Sequence, residues 1–310
     1  MFPGLTLGYL IFEVSDLAAW RTFATEMLGL PAPLEHANGS MGFRLDDQLQ
    51  RLIVKPGDAD DLVGIGLECR DDETLDRLAT ALATAGYDAE ACEVMGVERA
   101  VRSTDPSGLA VELVVGPARA TTPFSSDAFP DGFVTGDHGL GHAVLAYRDL
   151  AAMRRYYVET LGFGVSDRLE QRIGPVEIRG LFLHCNPRHH SIAILDAPLP
   201  RRCHHFMLQA ADLESVGRAY ERAQKLGVPL SLTLGQHPDP DPTMSFYAAT
   251  PSGFDFEIGA GGGIVHEAWD AGRVKASPWG HKPTFRLKWQ TMRALVRHRF
   301  ARRALPAATA

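Results

Sequence analysis

The sequence predicts an α+β protein made of two tandem halves, and in each half the order strand, helix, several strands occurs twice. Two observations support this prediction. The segments that begin near residues 7 and 140 repeat one pattern at a constant offset of 133 residues. A Pro-Ser-Gly motif followed by a short apolar strand with one glutamate closes both halves, at 105–113 and 250–258. Matches of this length indicate a tandem duplication.

The first unit of each half is a strand followed by a helix. In the first half, the apolar run 7–14 precedes Asp16, and apolar residues then recur at helical spacing up to Gly29. Asp is a favoured residue at the start of a helix, and Gly is favoured just after its end. In the second half, Asp149 and Gly162 take the same two places. We therefore expect a β-α unit at the start of each half.

The second unit of each half follows the same order. A strand-like run at 64–68 matches one at 205–209, and each precedes an acidic helix start and a helix that ends at a glycine. A chain of 310 residues fits two domains. The expected division is a first domain over 1–116, a Gly/Pro/Ser/Thr-rich linker over 117–136, a second domain over 137–283 and a basic tail over 284–310.

The tail has an unusual charge for this chain. Eight Lys or Arg and no acidic residue lie between Lys282 and Arg303, whereas the formal net charge of the whole chain is −7. Apolar residues recur in the tail at roughly helical spacing. This pattern favours an amphipathic helix on an acidic neighbour or subunit over a nucleic-acid site.

Composition indicates an ordinary globular protein without membrane segments. Hydrophobic residues make up 45 % and charged residues 22 % of the chain. The negative net charge gives no general attraction to nucleic acid or to anionic membranes. We find no export signal and no apolar window long enough to span a bilayer. The four cysteines form no CxxC pair, which predicts reduced thiols in a cytoplasmic protein.

Three residues of the second half form a candidate metal site. His142 and His205 each stand one step into the first strand of a repeat unit, and Glu257 lies in the closing strand. Two imidazoles and one carboxylate suit non-haem iron(II). In the first half, Tyr9, Gly64 and Glu112 take the equivalent places. The first half is therefore expected to have lost this site.

Other residues near this candidate site have more than one interpretation by sequence alone. Adjacent residues of a strand point to opposite faces, so only one of His204 and His205 can enter a site, and the repeat favours His205. His190 is a candidate general acid or base, because imidazole titrates near neutrality. Tyr247 could be a core aromatic or a hydrogen-bond donor to a bound oxygen.

Several motifs together resemble the two-domain extradiol ring-cleavage dioxygenases of the vicinal oxygen chelate superfamily, especially those that act on 2,3-dihydroxybiphenyl and related bicyclic catechols. The resemblance covers the chain from Leu7 to about Lys282. It rests on Leu140-Gly-His142, Phe182-Leu-His-Cys-Asn-Pro-Arg-His-His190, Arg202-Cys-His-His205-Phe-Met-Leu, Ser245-Phe-Tyr247, Thr250-Pro-Ser-Gly253, Phe256-Glu257-Ile-Gly259 and Trp279-Gly-His-Lys282.

This resemblance implies a fold of four βαβββ modules, two per domain, with each domain curling a mixed sheet around a cavity as in glyoxalase. It implies that His142, His205 and Glu257 bind Fe(II), although Mn(II) suits the same ligands. It further implies that His190 is the acid/base and that Tyr247 donates a hydrogen bond to a bound catechol. His237 fits a histidine of the substrate loop.

The resemblance also implies the substrates and the rest of the pocket. The substrates would be a catechol and O2, and the protein would be a homo-oligomer. Phe182, Ile173 and Pro278 are candidates for an apolar wall, or equally for core residues, and either Asp239 or Asp241 would face the ring. The alternative is another activity on this fold, either a metal-dependent isomerase or lyase of the glyoxalase kind or a protein that binds an aromatic compound. Those alternatives explain the metal trio but leave His190 and Tyr247 without a role.

Overall fold

The computed structural model describes residues 2–173, 176–266, 269–288 and 291–292. Its strands form two mixed sheets, one of eight strands and one of nine. The first sheet contains β1 (Leu5–Val14), β2 (Leu34–Glu35), β3 (Met41–Phe43), β4 (Leu52–Pro56), β5 (Asp61–Cys69), β6 (Glu90–Cys92), β7 (Val97–Thr104) and β8 (Ala110–Pro117). The second contains β9 (Gly141–Ala146), β10 (Gly164–Ile173), β11 (Val176–His184), β12 (Ile192–Asp196), β13 (Cys203–Gln209), β14 (Leu230–Gln236), β15 (Met244–Ala249), β16 (Asp255–Ala260) and β17 (Gly272–Arg273).

In each of the four modules, one helix follows the first strand, which confirms the predicted βαβββ order. The helices are α1 (Leu17–Thr22), α2 (Asp72–Thr84), α3 (Leu150–Arg154) and α4 (Leu213–Lys225), and a 3-10 turn (Gly136–His138) precedes β9. The sheets run β2-β3-β4-β1-β5-β8-β7-β6 and β14-β15-β16-β13-β9-β12-β11-β10-β17. The two modules of each half meet at an antiparallel pair, β1 with β5 and β13 with β9. No helix among the described residues has the length and hydropathy needed to cross a membrane.

The helix ends form as the sequence predicts. The Asp16 carboxylate accepts a hydrogen bond from the backbone N–H of residue 19 at 2.8 Å, and Asp149 caps α3 in the same way at 2.9 Å. Gly29 and Gly162 follow these helices with φ of +63° and +80°, values that glycine adopts without strain. Both helices finish as π-helical segments, Phe23–Met27 after α1 and Arg155–Thr160 after α3, which the spacing of apolar residues did not predict.

The two halves share one hydrophobic core. Phe12 of β1 lies 5.1 Å from the ring of Phe206 and stacks on Phe254 at 5.5 Å, so a first-half aromatic residue packs between two from the second half. The buried Tyr157 hydroxyl donates to Asp105 at 2.9 Å across the same boundary. Burial of each large side chain contributes about 1.5–3 kcal/mol, so these contacts hold the halves together strongly.

The segment 117–136 packs closely despite its loop-like composition. Phe129 is fully buried, packs against the tilted ring of Phe133 at 4.5 Å, and lies under the guanidinium of Arg222 at 5.2 Å. The expected basic tail lies mostly outside the described residues, since only 285–288 and 291–292 are seen as helix. At its start, Arg286 pairs with Asp255 at 2.5 Å, and a basic residue of the tail therefore contacts an acidic one of the second sheet.

Candidate metal centre

The second sheet brings His142, His205 and Glu257 together from three neighbouring strands. In β13, Met207 pairs with His142 of β9 on one side and with Glu257 of β16 on the other. In the first sheet, Gly66 pairs in the same way with Tyr9 and Glu112. The tertiary register therefore agrees with the alignment of the repeats.

The three candidate ligand atoms form a nearly equilateral triangle. The Nε2 atoms of His142 and His205 are 3.2 Å apart, and each lies 3.3 Å from Oε2 of Glu257. Neighbouring ligands on one ion have such separations when the metal-ligand bonds are about 2.1 Å. Two imidazoles and a carboxylate on one side of an ion form the facial arrangement typical of non-haem iron(II).

The protonation states of this cluster suit a cation. Burial lowers the pKa of His142 to about 4, so its imidazole is neutral near pH 7 and has a lone pair free for a metal. Burial raises the pKa of Glu257, but the imidazoles of His142, His205 and His237 outweigh that effect and hold it well below its usual range. The carboxylate of Glu257 is therefore ionised.

Glu257 is also the strongest evidence that an ion belongs here. Its side chain is 1 % exposed, and both carboxylate oxygens lack a hydrogen-bond partner within the described part of the chain. Beyond the two imidazoles, Nε2 of His237 lies 3.4 Å from Oε1, and a buried, ionised carboxylate without hydrogen bonds is costly. A divalent cation held by Glu257, His142 and His205 removes that cost, so these residues fit an iron ion.

The equivalent carboxylate of the first half has protein partners instead. The Tyr9 hydroxyl donates to one oxygen of Glu112 at 2.5 Å, and Arg102 donates to the other at 2.7 and 3.1 Å. The ring of Tyr9 lies over Gly66, where a β-carbon would come within 2.2 Å of it. In the first half, a phenol and a guanidinium donate hydrogen bonds to the buried carboxylate. The equivalent carboxylate of the second half has no such donors among the described residues.

His204 lies closer to the cluster than strand alternation suggests. A bulge between Cys203 and His205 interrupts the pairing of β13 with β9, and it leaves Nδ1 of His204 2.6 Å from Nδ1 of His205. Burial lowers the pKa of His204 to about 3. His204 is therefore neutral, and a hydrogen bond between the two Nδ1 atoms can orient the ring of His205, a role the sequence analysis missed. The adjacent pair of histidines was the available signal.

A pocket of roughly 790 Å³, including its mouth, opens over the cluster. The ring of His190 lies 4.0 Å from that of His142 and 4.9 Å from that of Phe182. Burial, and then the neighbouring His142, lower the pKa of His190 well below its ordinary value, so its imidazole is neutral. On another side of the pocket, the Tyr247 hydroxyl lies 2.8 Å from Nε2 of His237.

The predicted substrate residues have different positions. Phe182, Asp239 and Asp241 line the pocket, and Asp239 is exposed at its mouth whereas Asp241 approaches His189 and His190. Pro278 is exposed and stands outside the lining, because the next residue, Trp279, donates to Gln236 and holds this segment on edge strand β14. The side chain of Ile173 lies outside the described part of the structure.

Fold and pocket together define a protein of the Glyoxalase/Bleomycin resistance protein/Dioxygenase superfamily, whose model matches residues 139–258. Residues 7–57 match the model of the first domain of dihydroxybiphenyl dioxygenase BphC. The chain is 41 % identical over 285 residues to biphenyl-2,3-diol 1,2-dioxygenase of Paraburkholderia xenovorans LB400, covering 89 % of this chain and 95 % of that protein.

Two further relatives and a crystal structure agree. The chain is 39 % identical to 3-methylcatechol 2,3-dioxygenase of Pseudomonas putida F1 and 35 % identical to the iron-dependent extradiol dioxygenase of Rhodococcus jostii RHA1, covering 89 % of this chain and 97 % and 96 % of theirs. The halotolerant catechol dioxygenase BphC has a TM-score of 0.82 and 33 % identity over 91 % of this chain and 95 % of its own. The chain belongs to the family of extradiol dioxygenases.

Proposed function

We propose that this protein is an iron(II)-dependent extradiol dioxygenase that opens the ring of an aryl- or alkyl-substituted catechol with O2. The observation that carries the proposal is the buried Glu257 carboxylate, which lacks hydrogen-bond partners and faces two imidazole nitrogens at the base of the pocket. The similarity to enzymes named for biphenyl-2,3-diol and 3-methylcatechol supports the substrate class. Mn(II) suits the same three ligands.

The metal would be held by His142, His205 and Glu257, and when bound it would lower the pKa of the catechol hydroxyls and bring catechol and O2 together. The remaining residues act on the substrate directly. The neutral imidazole of His190 accepts a proton from a catechol hydroxyl. Tyr247, fixed by its contact with His237, donates a hydrogen bond to a catechol oxygen.

The apolar part of the pocket decides which substituents a bound catechol ring can carry. Its apolar side chains are Val144, Leu169, Phe182, Leu195 and Val274. These side chains exclude water and offer a second ring or an alkyl group an apolar surface. Among the described lining residues, Asp239 is the one whose carboxylate stands exposed at the mouth. We therefore expect neutral substituents to be preferred over anionic ones.

We further propose a division into two domains, 1–116 and 137–283, joined by 117–136, and assembly as a cytoplasmic homo-oligomer. Four large apolar residues near the end of the described chain support an interface there, with exposures of 47–83 %: Ile264, Trp279, Phe285 and Met292. All four cysteines are free thiols, which suits a reducing compartment.

The test is anaerobic reconstitution with iron(II), followed by oxygen uptake and absorbance scans with 2,3-dihydroxybiphenyl, 3-methylcatechol and catechol. One O2 consumed per substrate, with a yellow ring-opened product, is the expected result. A protein with full iron occupancy and no oxygen uptake on any of the three would overturn the proposal. The isomerase and binding alternatives would then be the ones to test.

A further inference from the structure

A second group of metal-ligand atoms lies beside the three-ligand cluster. The Nδ1 atoms of His189 and His190 are 3.1 Å apart, and Oδ2 of Asp241 lies 3.6 and 3.7 Å from them. The two distances to Asp241 are beyond the reach of an ordinary hydrogen bond. They suit ligands that share one cation with bonds of about 2.1 Å.

The Asp241 carboxylate is held with one oxygen directed at the two imidazoles. Its Oδ1 accepts hydrogen bonds from the backbone N–H of Gly263 at 2.6 Å and from the Thr243 hydroxyl at 2.8 Å. These contacts leave Oδ2 as the atom that faces His189 and His190. The loop therefore presents a fixed anionic ligand without any rearrangement.

His189 has the surroundings of a metal ligand rather than those of a core histidine. It is 3 % exposed, and its Nε2 has no hydrogen-bond partner among the described residues. That nitrogen lies 3.3 Å from Oδ2 of Asp167, which is equally buried. A carboxylate beside the second nitrogen is the usual arrangement for a histidine that binds metal through the first.

We propose that His189, His190 and Asp241 form a second, inhibitory site for a zinc-type divalent cation. Two imidazoles and a carboxylate with one position left for water match a zinc ion. An ion on Nδ1 of His190 places positive charge on the ring that must accept the substrate proton, and so it suppresses turnover. Binding of the ion is independent of the proposed function, whereas the inhibition rests on it.

The first measurement uses the iron-loaded protein, dialysed anaerobically against buffered micromolar ZnCl2, with both metals counted by mass spectrometry. We expect about one zinc per chain with the iron retained. Oxygen uptake with 2,3-dihydroxybiphenyl should fall at least tenfold and return when the zinc is dialysed away. Displacement of iron by zinc one for one, or no zinc bound beside the iron, would overturn the proposal.

The variant His189→Phe keeps a ring in the buried space and removes one ligand. It should weaken zinc binding by more than about 10-fold, because loss of a partner that only orients a ligand already costs about 10–100-fold. The control His36→Ala removes an imidazole of the first half that contacts Gln50 at 2.8 Å, and it should bind zinc as the unaltered protein does. Zinc inhibition is compared within each variant as a ratio of rates.

If His189→Phe does not fold, Asp241→Asn gives the same test through zinc stoichiometry alone. If either variant folds and binds zinc as tightly as the unaltered protein, the proposed site is wrong. The zinc count does not depend on catalysis. Failure of the second site and failure of the proposed dioxygenase activity are therefore told apart.

Discussion

Glu112 and Glu257 occupy the same register position in the two sheets, and their carboxylates have opposite surroundings. Both oxygens of Glu112 accept hydrogen bonds, from Tyr9 and Arg102, whereas neither oxygen of Glu257 has a hydrogen-bond partner among the described residues. One duplicated glutamate thus became part of the protein framework, and the other is free for a metal.

This pair gives the most direct test of the metal ligands. Glu257→Gln should lower iron content to about one-tenth or less, since it removes the only anionic ligand of the trio. Glu112→Gln is the matched control and should retain its iron, although losing the buried contact to Tyr9 should cost about 1–3 kcal/mol of stability. The measurement is iron per chain after gel filtration. Full iron in Glu257→Gln would show that the ligand assignment is wrong.

The role of His190 is tested by separating iron binding from turnover. His190→Ala should keep its iron and lose about 10²–10⁴-fold in the rate of ring cleavage, the usual contribution of a general base. Anaerobic titration with the catechol checks that substrate still binds. Unchanged turnover would rule out a proton-accepting role for His190.

The contact of His204 with His205 predicts an effect on metal affinity. His204→Phe removes the atom that lies 2.6 Å from Nδ1 of His205, and iron should be held about 10–100-fold more weakly. His204→Asn keeps a polar group near that nitrogen and should recover part of the affinity. The readout is the rate at which a chelator removes iron. A variant that releases iron as slowly as the unaltered protein would mean that His204 only fills space.

The ion pair of Asp46 with Arg51 predicts how stability depends on pH. Burial raises the pKa of Asp46, but the hydrogen bonds and charge of Arg51 outweigh burial and bring it below its ordinary value of 3.8. The pair therefore stabilises the fold above pH 3.8, and this stabilisation is lost as the pH falls through the lowered pKa.

Arg51 is 2 % exposed and its other carboxylate neighbour, Glu68, is 3.9 Å away, so Asp46→Asn leaves a poorly paired buried cation and should cost about 3 kcal/mol at pH 7. The control Asp47→Asn alters a side chain that is 57 % exposed and 3.7 Å from Arg44, and it should cost less than about 1 kcal/mol. Urea unfolding at pH 7 and pH 3 is the measurement. An Asp46→Asn variant as stable as the Asp47→Asn control at pH 7 would contradict this account.

The sequence by itself determined the duplication, the order of elements and the helix caps at Asp16 and Asp149, and it selected His142, His205 and Glu257 as candidate ligands that the fold brings together. These features were readable because capping and strand periodicity depend on nearby residues, and because a repeat allows each position to be compared with its counterpart. The equivalence of Glu112 and Glu257 came from that comparison alone, and the strand registers of the two sheets agree with it.

Only the tertiary structure decided which polar groups end within reach of one another. The bulge that brings His204 to His205, the approach of Asp241 to His189, and the exposed place of Pro278 depend on pairing between strands and on loop packing. Alternation along one strand does not contain that information, because a single inserted residue changes which side chains meet. The positions of the side chains around the site were therefore settled by long-range contacts.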